Sequence, residues 1–183
     1  MRRRVALREG ADPDGFRRAV RYLVAEQVPP QDVAWSTDDK PALFGEASIA
    51  EAPPFALPRA VADLVALVVC HRDPERYALL YALIWRVLHG ERDLPVLASD
   101  PLVHRLSMMA KAIRRDIHKM HAFVRFRSVP AGDGEHFVAW FEPDHFILER
   151  AAPFFVDRFR SMRWSILTPV GSLHWDGDRK SVV

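Results

Sequence analysis

Basic side chains cluster on one predicted helix and on the strand that follows it. In the helix predicted over residues 101–121, Lys111, Arg115 and His118 stand four and three positions apart, so their side chains form one ridge. In the strand predicted over 123–129, two arginines stand two positions apart and share one face. If the strand folds beside the helix, these groups converge into a track that binds successive phosphates of a nucleic acid. The track comprises Lys111, Arg114, Arg115, His118, Lys119, Arg125 and Arg127.

The alternative reading of this basic run is a solvated helix face. Such faces usually mix charges of both signs, whereas Asp116 is the only acidic residue between Arg105 and Arg127. The shortage of carboxylates in the run therefore favours a phosphate-binding role.

Tryptophans that lie near arginines in the chain suggest contacts with bases. Trp140 and Trp164 fall in predicted strands, and Arg163 directly precedes the second of them. Aromatic rings combined with arginines are typical of the platforms on which single-stranded bases stack. The core of a small sheet has the same composition. Both interpretations stay open on sequence alone.

A second group of polar residues is suited to acid–base chemistry. His118, Glu142, Asp144 and His145 combine imidazole and carboxylate groups, and His118 lies three residues before His121, a spacing that permits joint ligation of a metal. The chain has no HExxH motif, phosphate loop, dinucleotide fingerprint or Gly-x-Ser-x-Gly motif. We therefore expect neither a metal nor a cofactor, and we assign no catalytic residue.

Composition excludes several classes of protein. The 183 residues carry 26 Lys and Arg against 24 Asp and Glu, and a net charge of +2 does not by itself indicate a nucleic-acid binder. Cys70 is the single cysteine, which excludes a disulfide framework and an iron–sulfur cluster held by this chain alone. No apolar run approaches the roughly 18–20 residues that span a bilayer. We expect a cytoplasmic protein without membrane contacts.

Proline and glycine positions predict where the helices begin and end. Asp-Pro pairs at 12–13, 73–74 and 100–101 are typical of helix N-termini, because aspartate caps free amides and proline suits the first helical turn. The helix that begins near residue 74 should end at Gly90. A further, apolar helix is predicted over 59–70.

Beyond residue 121 the apolar period changes from that of a helix to that of a strand. Alternation over 123–129 and 137–142 flanks a turn at 130–135, which predicts a hairpin. Downstream we predict a helix over 154–160 and strands over 164–168 and 172–175.

These elements predict an α+β fold in which helices pack on a small antiparallel sheet. Residues 5–7, the helix from 13 and residues 32–35 predict a small N-terminal β-α-β unit. The predicted boundaries are an N-terminal unit over 1–36, a proline-rich connection over 37–58, a main α+β domain over 59–177 and a tail over 178–183.

Several long runs of the sequence resemble one bacterial domain family. The runs are His-Arg-Asp-Pro-Glu-Arg-Tyr (71–77), Met-Ala-Lys-Ala-Ile-Arg-Arg-Asp-Ile-His-Lys-Met (109–120), Phe-Val-Arg-Phe-Arg (123–127), Val-Ala-Trp-Phe-Glu-Pro-Asp-His (138–145), Ala-Pro-Phe-Phe (152–155) and Met-Arg-Trp-Ser-Ile-Leu-Thr-Pro (162–169). The family is a domain of unknown function that is found fused ahead of UdgX-type uracil-DNA glycosylases. It also occurs as a separate probable DNA-metabolism protein that accompanies a radical-SAM protein. The resemblance implies a role in DNA repair or nucleic-acid processing beside such a partner, while the glycosylase motifs themselves are absent.

Three functions are compatible with the sequence. We favour a nucleic-acid-binding accessory domain of DNA repair or DNA metabolism that binds single-stranded or damaged DNA beside a uracil-DNA glycosylase or radical-SAM protein. An uncharacterised enzyme that uses the His, Glu and Asp set is the second. A protein–protein adaptor that docks its partner through the acidic segment 133–157 or the N-terminal unit is the third.

Overall fold

The computed structural model describes residues 2–37, 52–132 and 134–183, so most of the predicted connection over 37–58 lies outside the described residues. The chain divides into two compact units, 1–112 and 113–183, and the division falls inside one long helix. Within the described residues, no helix is long and apolar enough to cross a membrane.

The first unit opens with the predicted β-α-β arrangement. Strand β1 (Arg3–Ala6), helix α1 (Pro13–Ala25) and strand β2 (Val33–Ser36) follow in order, and the two strands pair in parallel. Asp12 caps α1, since its Oδ1 accepts the Gly15 N–H at 3.0 Å. Because parallel neighbours need a crossover connection, α1 is the element that allows this pairing.

Three helices complete the first unit. They are α2 (Arg59–Val68), α3 (Arg76–Leu88) and the first half of α4 (Pro101–Phe123), with short 3-10 turns at Pro30–Asp32 and Leu94–Val96. Asp100 caps α4 as predicted, because its Oδ1 accepts the Leu102 and Val103 N–H groups. Helix α3 begins later than predicted, since Asp73 instead accepts the Glu75 N–H within a turn.

The second unit is a five-stranded sheet with two helical segments. Its elements are the end of α4, then β3 (Arg127–Ala131), β4 (Gly134–Trp140), α5 (Leu148–Arg158), β5 (Trp164–Thr168), β6 (Gly171–Trp175) and β7 (Lys180–Val182). The strands lie in chain order, and every neighbouring pair is antiparallel except β4 and β5. Helix α5 connects this parallel pair, as a crossover must.

One face of this sheet is covered by helix and is apolar. Phe137 pairs with Trp164 in register, and Ile166 follows on the same side. Phe155 of α5 packs edge-on against Trp164 with ring centroids 6.1 Å apart. These side chains form the core of the second unit. The α+β fold class and the N-terminal β-α-β unit are thus confirmed, with one parallel pair inside an otherwise antiparallel sheet.

Three predicted boundaries in this unit are wrong. Strand β3 begins at Arg127 because α4 continues to Phe123. Helix α5 begins at Leu148, so Pro153 lies inside the helix rather than near its start. The residues predicted as a tail contain β7, which pairs with β6 through Leu173 and Val182.

Candidate nucleic-acid interface

The second half of α4 exposes a row of basic side chains. Arg114, Arg115 and His118 are exposed, whereas Met120 on the opposite side is fully buried. Lys111 is also exposed, one turn earlier in the part of α4 that belongs to the first unit. Neither arginine forms an ion pair with any described residue. We call Arg114, Arg115 and His118 the helix row.

Two other contacts tie α4 to the loop over 141–147. Lys119 donates to Asp144 at 3.2 Å, so this predicted phosphate ligand already has a carboxylate partner. Asp116 is 1% exposed, and its Oδ2 accepts the His145 N–H at 2.9 Å. Its Oδ1 is buried without a hydrogen-bond partner in the described part of the chain. The side chains of α4 that face this loop therefore already have partners within the protein.

The prediction that Arg125 and Arg127 share a strand face is wrong. Arg125 lies ahead of β3, where its Nη1 donates to the carbonyls of Ala122 and Val124 at 2.7 and 3.0 Å. A cation at this position satisfies acceptors that a helix C-terminus leaves free. Arg127 is the first residue of β3 and is exposed.

The side of the sheet opposite the core is lined by exposed and half-buried side chains, with Ser165 buried among them. Register and alternation place on it residues from four strands, which we call the exposed face: Arg127, Val129, His136, Val138, Trp140, Arg163, Ser165, Leu167, Ser172 and His174. Val129, Trp140 and Leu167 are among the exposed large apolar side chains of the molecule. This face therefore combines apolar area with cationic and hydroxyl groups.

The two tryptophans predicted to contact bases lie in different environments. Trp140 is 58% exposed on the exposed face, and its Nε1 donates to Glu142 Oε1 at 3.0 Å. Trp164 is 0% exposed, and its Nε1 donates to the Phe159 carbonyl at 3.3 Å. Trp164 therefore belongs to the core and cannot offer its ring to a base, so that expectation is corrected.

Arg163 reaches from the start of β5 across to β4. Its Nη2 lies 3.5 Å from the position that a Cβ on Gly134 would occupy. Gly134 has φ +132°, a conformation that side-chain-bearing residues rarely adopt, so glycine permits this backbone.

A chain of four hydrogen-bonded side chains crosses the exposed face. His136 Nε2 lies 2.8 Å from Ser165 Oγ, which lies 2.7 Å from His174 Nδ1, and His174 Nε2 lies 2.8 Å from Ser172 Oγ. We call these four residues the His–Ser chain. Residue spacing in the sequence does not indicate this chain, because only strand pairing brings Ser165 opposite His174.

The cations of the predicted track do not meet in one groove. His121 of α4 stacks on Phe154 of α5, with centroids 4.0 Å apart, and Phe155 of α5 packs on Trp164. The end of α4 therefore lies on the covered side of the sheet, while Arg127 projects from the exposed face. The helix row and the strand cations occupy opposite sides of the second unit.

Three of the four predicted acid–base residues make contacts within the protein. His118 is exposed on the helix row, Glu142 holds the Trp140 indole, Asp144 holds Lys119, and the backbone of His145 bonds to Asp116. Within residues 2–37, 52–132 and 134–183, no group of three or more His, Cys, Asp or Glu is placed to hold a metal ion.

The first unit contains a cavity that none of the predicted site residues lines. It has a volume of about 370 Å³, and its walls include Arg4, Trp35, Ser36, Thr37, Pro74 and Tyr77. The Trp35 indole Nε1 is buried without a hydrogen-bond partner in the described part of the chain. The cavity lies where β2 ends, at the edge of the described residues.

Comparison with known proteins gives one family. Its profile matches residues 74–183, which is more than half of the 183-residue chain and contains the whole second unit. No curated protein and no solved structure matches the chain. The exposed face, the helix row and the His–Ser chain all fall within the matched segment, and the chain belongs to the family described as a domain of unknown function, DUF4130.

Proposed function

We propose that the second unit binds single-stranded nucleic acid on its exposed face, and that the protein serves as an accessory domain in DNA metabolism. The observation that carries this proposal is Trp140, a tryptophan more than half exposed at the end of β4, where it pairs with Leu167 of β5. A large apolar side chain left exposed forgoes the stabilisation that its burial would give, about 1.5–3 kcal/mol for a side chain of the size of Phe or Leu. A base stacked on Trp140 would bury the ring and supply part of that stabilisation.

The geometry of Trp140 supports a stacking role. The hydrogen bond from its Nε1 to Glu142 holds the indole in one orientation, so little side-chain entropy is lost when a base stacks on it. Leu167 pairs with Trp140 in register and extends the apolar surface onto β5. Each base stacked on an aromatic contributes about 1–3 kcal/mol without regard to its identity.

Two arginines on the same face supply the charge that phosphates need. Arg127 pairs with Val138 in register, so it lies beside β4, and Arg163 reaches β4 at Gly134 from the other side. A single-stranded nucleic acid whose base stacks on Trp140 would therefore meet Arg127 beside the same end of β4, and Arg163 towards the other end of the strand. Guanidinium groups bind phosphate oxygens through paired N–H donors.

The cellular role follows from the resemblance described above. The proposed partners are a UdgX-type uracil-DNA glycosylase or a radical-SAM protein, for which this domain would hold single-stranded or damaged DNA in the cytoplasm. The chain itself carries no glycosylase motif, so its part in such a pair is binding rather than base excision.

Paired substitutions test which surface of the second unit binds single-stranded nucleic acid. Trp140→Ala is expected to weaken binding of a fluorescent dT oligomer of about 15 nucleotides by about tenfold, since one stacking contact is lost. Phe123→Ala is the matched control, because Phe123 is 67% exposed in the same unit but lies at the end of α4. Fluorescence anisotropy at low salt measures both dissociation constants.

A second pair of variants distinguishes binding on the exposed face of the sheet from binding on the helix row. Arg127→Gln on the exposed face is compared with Arg114→Gln together with Arg115→Gln on the helix row. If the proposal is right, the single change weakens binding more than the double one. Binding that is retained in Trp140→Ala but lost in the helix double variant would show that the binding site lies on α4. Absence of binding by the parent protein would reject the proposal.

A further inference from the structure

We propose that the His–Ser chain is a phosphate subsite of the exposed face that takes up one proton when a nucleic-acid phosphate binds. This inference rests on the proposed function and adds how one backbone phosphate is held and how pH controls the contact. Its basis is the series of three hydrogen bonds that joins His136, Ser165, His174 and Ser172 across three strands.

The proton count of Ser165 couples the two histidines. A hydroxyl has one proton, so Ser165 can donate to one imidazole nitrogen while it accepts from the other. Ser165 is 6% exposed, and water therefore competes poorly for these bonds. When both histidines are neutral, all donors in the chain must point in one direction or in the other.

An anion selects one of these two directions. If Ser172 donates to His174, His174 to Ser165 and Ser165 to His136 Nε2, then the proton of neutral His136 resides on Nδ1. This Nδ1 has no partner among the described residues, and His136 is only half-buried, so the N–H is available to a phosphate oxygen. In the opposite direction Nδ1 presents a lone pair, which repels an anion.

One added proton fits the chain without breaking any of its bonds. If His136 is protonated, both its nitrogens donate, and Ser165 turns its own proton to His174 Nδ1 while His174 Nε2–H donates to Ser172. If His174 is protonated, it donates to both serines and Ser165 donates to His136. A second proton would leave the Ser165 hydroxyl without its imidazole acceptor, so the chain accommodates a single positive charge.

The charged groups around the chain favour anion binding there. Arg127 on β3 pairs with Val138, two residues from His136, while Val129 pairs with His136 itself. Arg163 lies directly before β5, and its carbonyl accepts the N–H of Phe137, the residue after His136. Both arginines therefore lie on the same face as His136, on the two neighbouring strands. Asp176 lies two residues beyond His174 at the end of β6, where its Oδ1 accepts the Asp178 and Arg179 N–H groups. On β7, Ser181 pairs with His174 and brings no charge. Glu135 and Lys180 alternate onto the other face.

The two arginines repel a proton on the chain when no ligand is present, and a bound phosphate removes that repulsion. Phosphate binding and proton uptake therefore strengthen each other by linkage. The exchange balances, because the proton comes from solvent and resides on an imidazole nitrogen while no covalent bond to the phosphate forms.

The test measures binding of the dT oligomer against pH at constant ionic strength. From about pH 8 to about pH 5.5 the affinity of the parent protein is expected to rise about tenfold, since one imidazole of the His–Ser chain gains a proton when the phosphate binds. The double variant His136→Gln, His174→Gln keeps groups that can bond to the serines but cannot titrate, and its affinity should change little with pH. His118→Gln, on the helix row, is the matched control and should retain the full pH dependence.

Two further measurements keep the outcomes distinct. A dT oligomer with uncharged methylphosphonate linkages should show no rise at low pH, which separates a phosphate contact from a base contact. In the proton NMR spectrum of the parent protein, the His136 and His174 ring signals should titrate at higher pH when the charged oligomer is bound. These signals report on the chain even if a glutamine variant folds poorly.

Each result decides between the two proposals. Tight binding with the same pH dependence in the parent and in the double glutamine variant overturns the subsite and leaves the proposed function standing. Loss of the pH dependence in His118→Gln assigns it to α4 and also overturns the subsite. Absence of binding by the parent at every pH overturns the proposed function and this inference together.

Discussion

At the scale of single residues, the second unit buries polar groups that have few partners. Asp116 keeps one carboxylate oxygen buried without a hydrogen-bond partner among the described residues, and the same holds for Nε2 of His121. Burial lowers the pKa of His121, and the nearby His118 lowers it further against the opposing effect of the Ala151 carbonyl. The folded protein therefore favours the neutral imidazole stacked on Phe154.

His121 should make stability depend on pH. Because its folded pKa is depressed, the unfolded chain binds more protons as the pH falls below the ordinary histidine value of about 6.5, so the free energy of unfolding falls in that window. His121→Phe keeps an aromatic ring against Phe154 but cannot titrate. Urea unfolding at about pH 8 and about pH 5 should show a smaller difference for this variant than for the parent.

Other titrating groups contribute equally to both proteins and cancel in that comparison. His104→Phe, at an exposed position of α4, is the control and should leave the difference unchanged. An unchanged difference in His121→Phe would contradict the assignment of the effect to burial of this ring.

At the scale of elements, α5 contains a proline where a helix tolerates it poorly. Pro153 is the sixth residue of the helix Leu148–Arg158, so its missing N–H leaves the Glu149 carbonyl without the usual helical donor. The two residues that follow contact His121 and Trp164. The helix is thus retained by packing of Phe154 and Phe155 rather than by its own propensity.

Pro153→Ala should stabilise the protein. An interior proline costs a helix about 3 kcal/mol, while the added freedom of the unfolded chain offsets about 1 kcal/mol of the gain, so we expect the free energy of unfolding to rise by about 1–2 kcal/mol. Pro153 is exposed, and the change removes no core contact. Pro13→Ala, at the first position of α1, is the control and should bring no gain. A lower urea midpoint for Pro153→Ala would show that the proline stabilises α5.

At the scale of the whole molecule, charge is nearly balanced, so binding must depend on where the cations lie. The net charge of +2 gives little long-range attraction for a polyanion. The helix row and the exposed face carry arginines on different sides of the second unit. Only contacts at the exposed face are expected to release counterions when a single strand binds there.

The salt dependence of the association constant should report how many phosphates the exposed face neutralises. For single strands, the logarithm of the association constant falls with the logarithm of salt concentration by about 0.7 per phosphate neutralised. Arg127→Gln should reduce this slope by about 0.7, measured by anisotropy from about 50 to about 200 mM KCl. Arg114→Gln should leave it unchanged. Equal slopes in the parent and Arg127→Gln would exclude Arg127 from the binding surface.

Local signals in the sequence were sufficient for most of the fold. Asp12 and Asp100 begin helices as predicted, because capping involves only neighbouring residues. Strands β5 and β6 also lie where alternation placed them. The start of α5 was missed because tertiary packing outweighs the helix-breaking tendency of Pro153, and β7 was missed because pairing with β6 orders a polar segment of low strand propensity.

The candidate site depended more on tertiary structure. The sequence alone determined which residues carry charge and which helix face exposes Arg114, Arg115 and His118, since helical period follows from spacing. It could not determine that Trp140 faces solvent while Trp164 is buried, because that depends on which sheet face α5 covers. Nor could it bring Ser165 between His136 and His174, residues 29 and 9 positions away, because only strand register joins them. The sequence determines the chemistry of each side chain. Long-range packing determines which face of the sheet a side chain occupies and which residue of the next strand lies beside it.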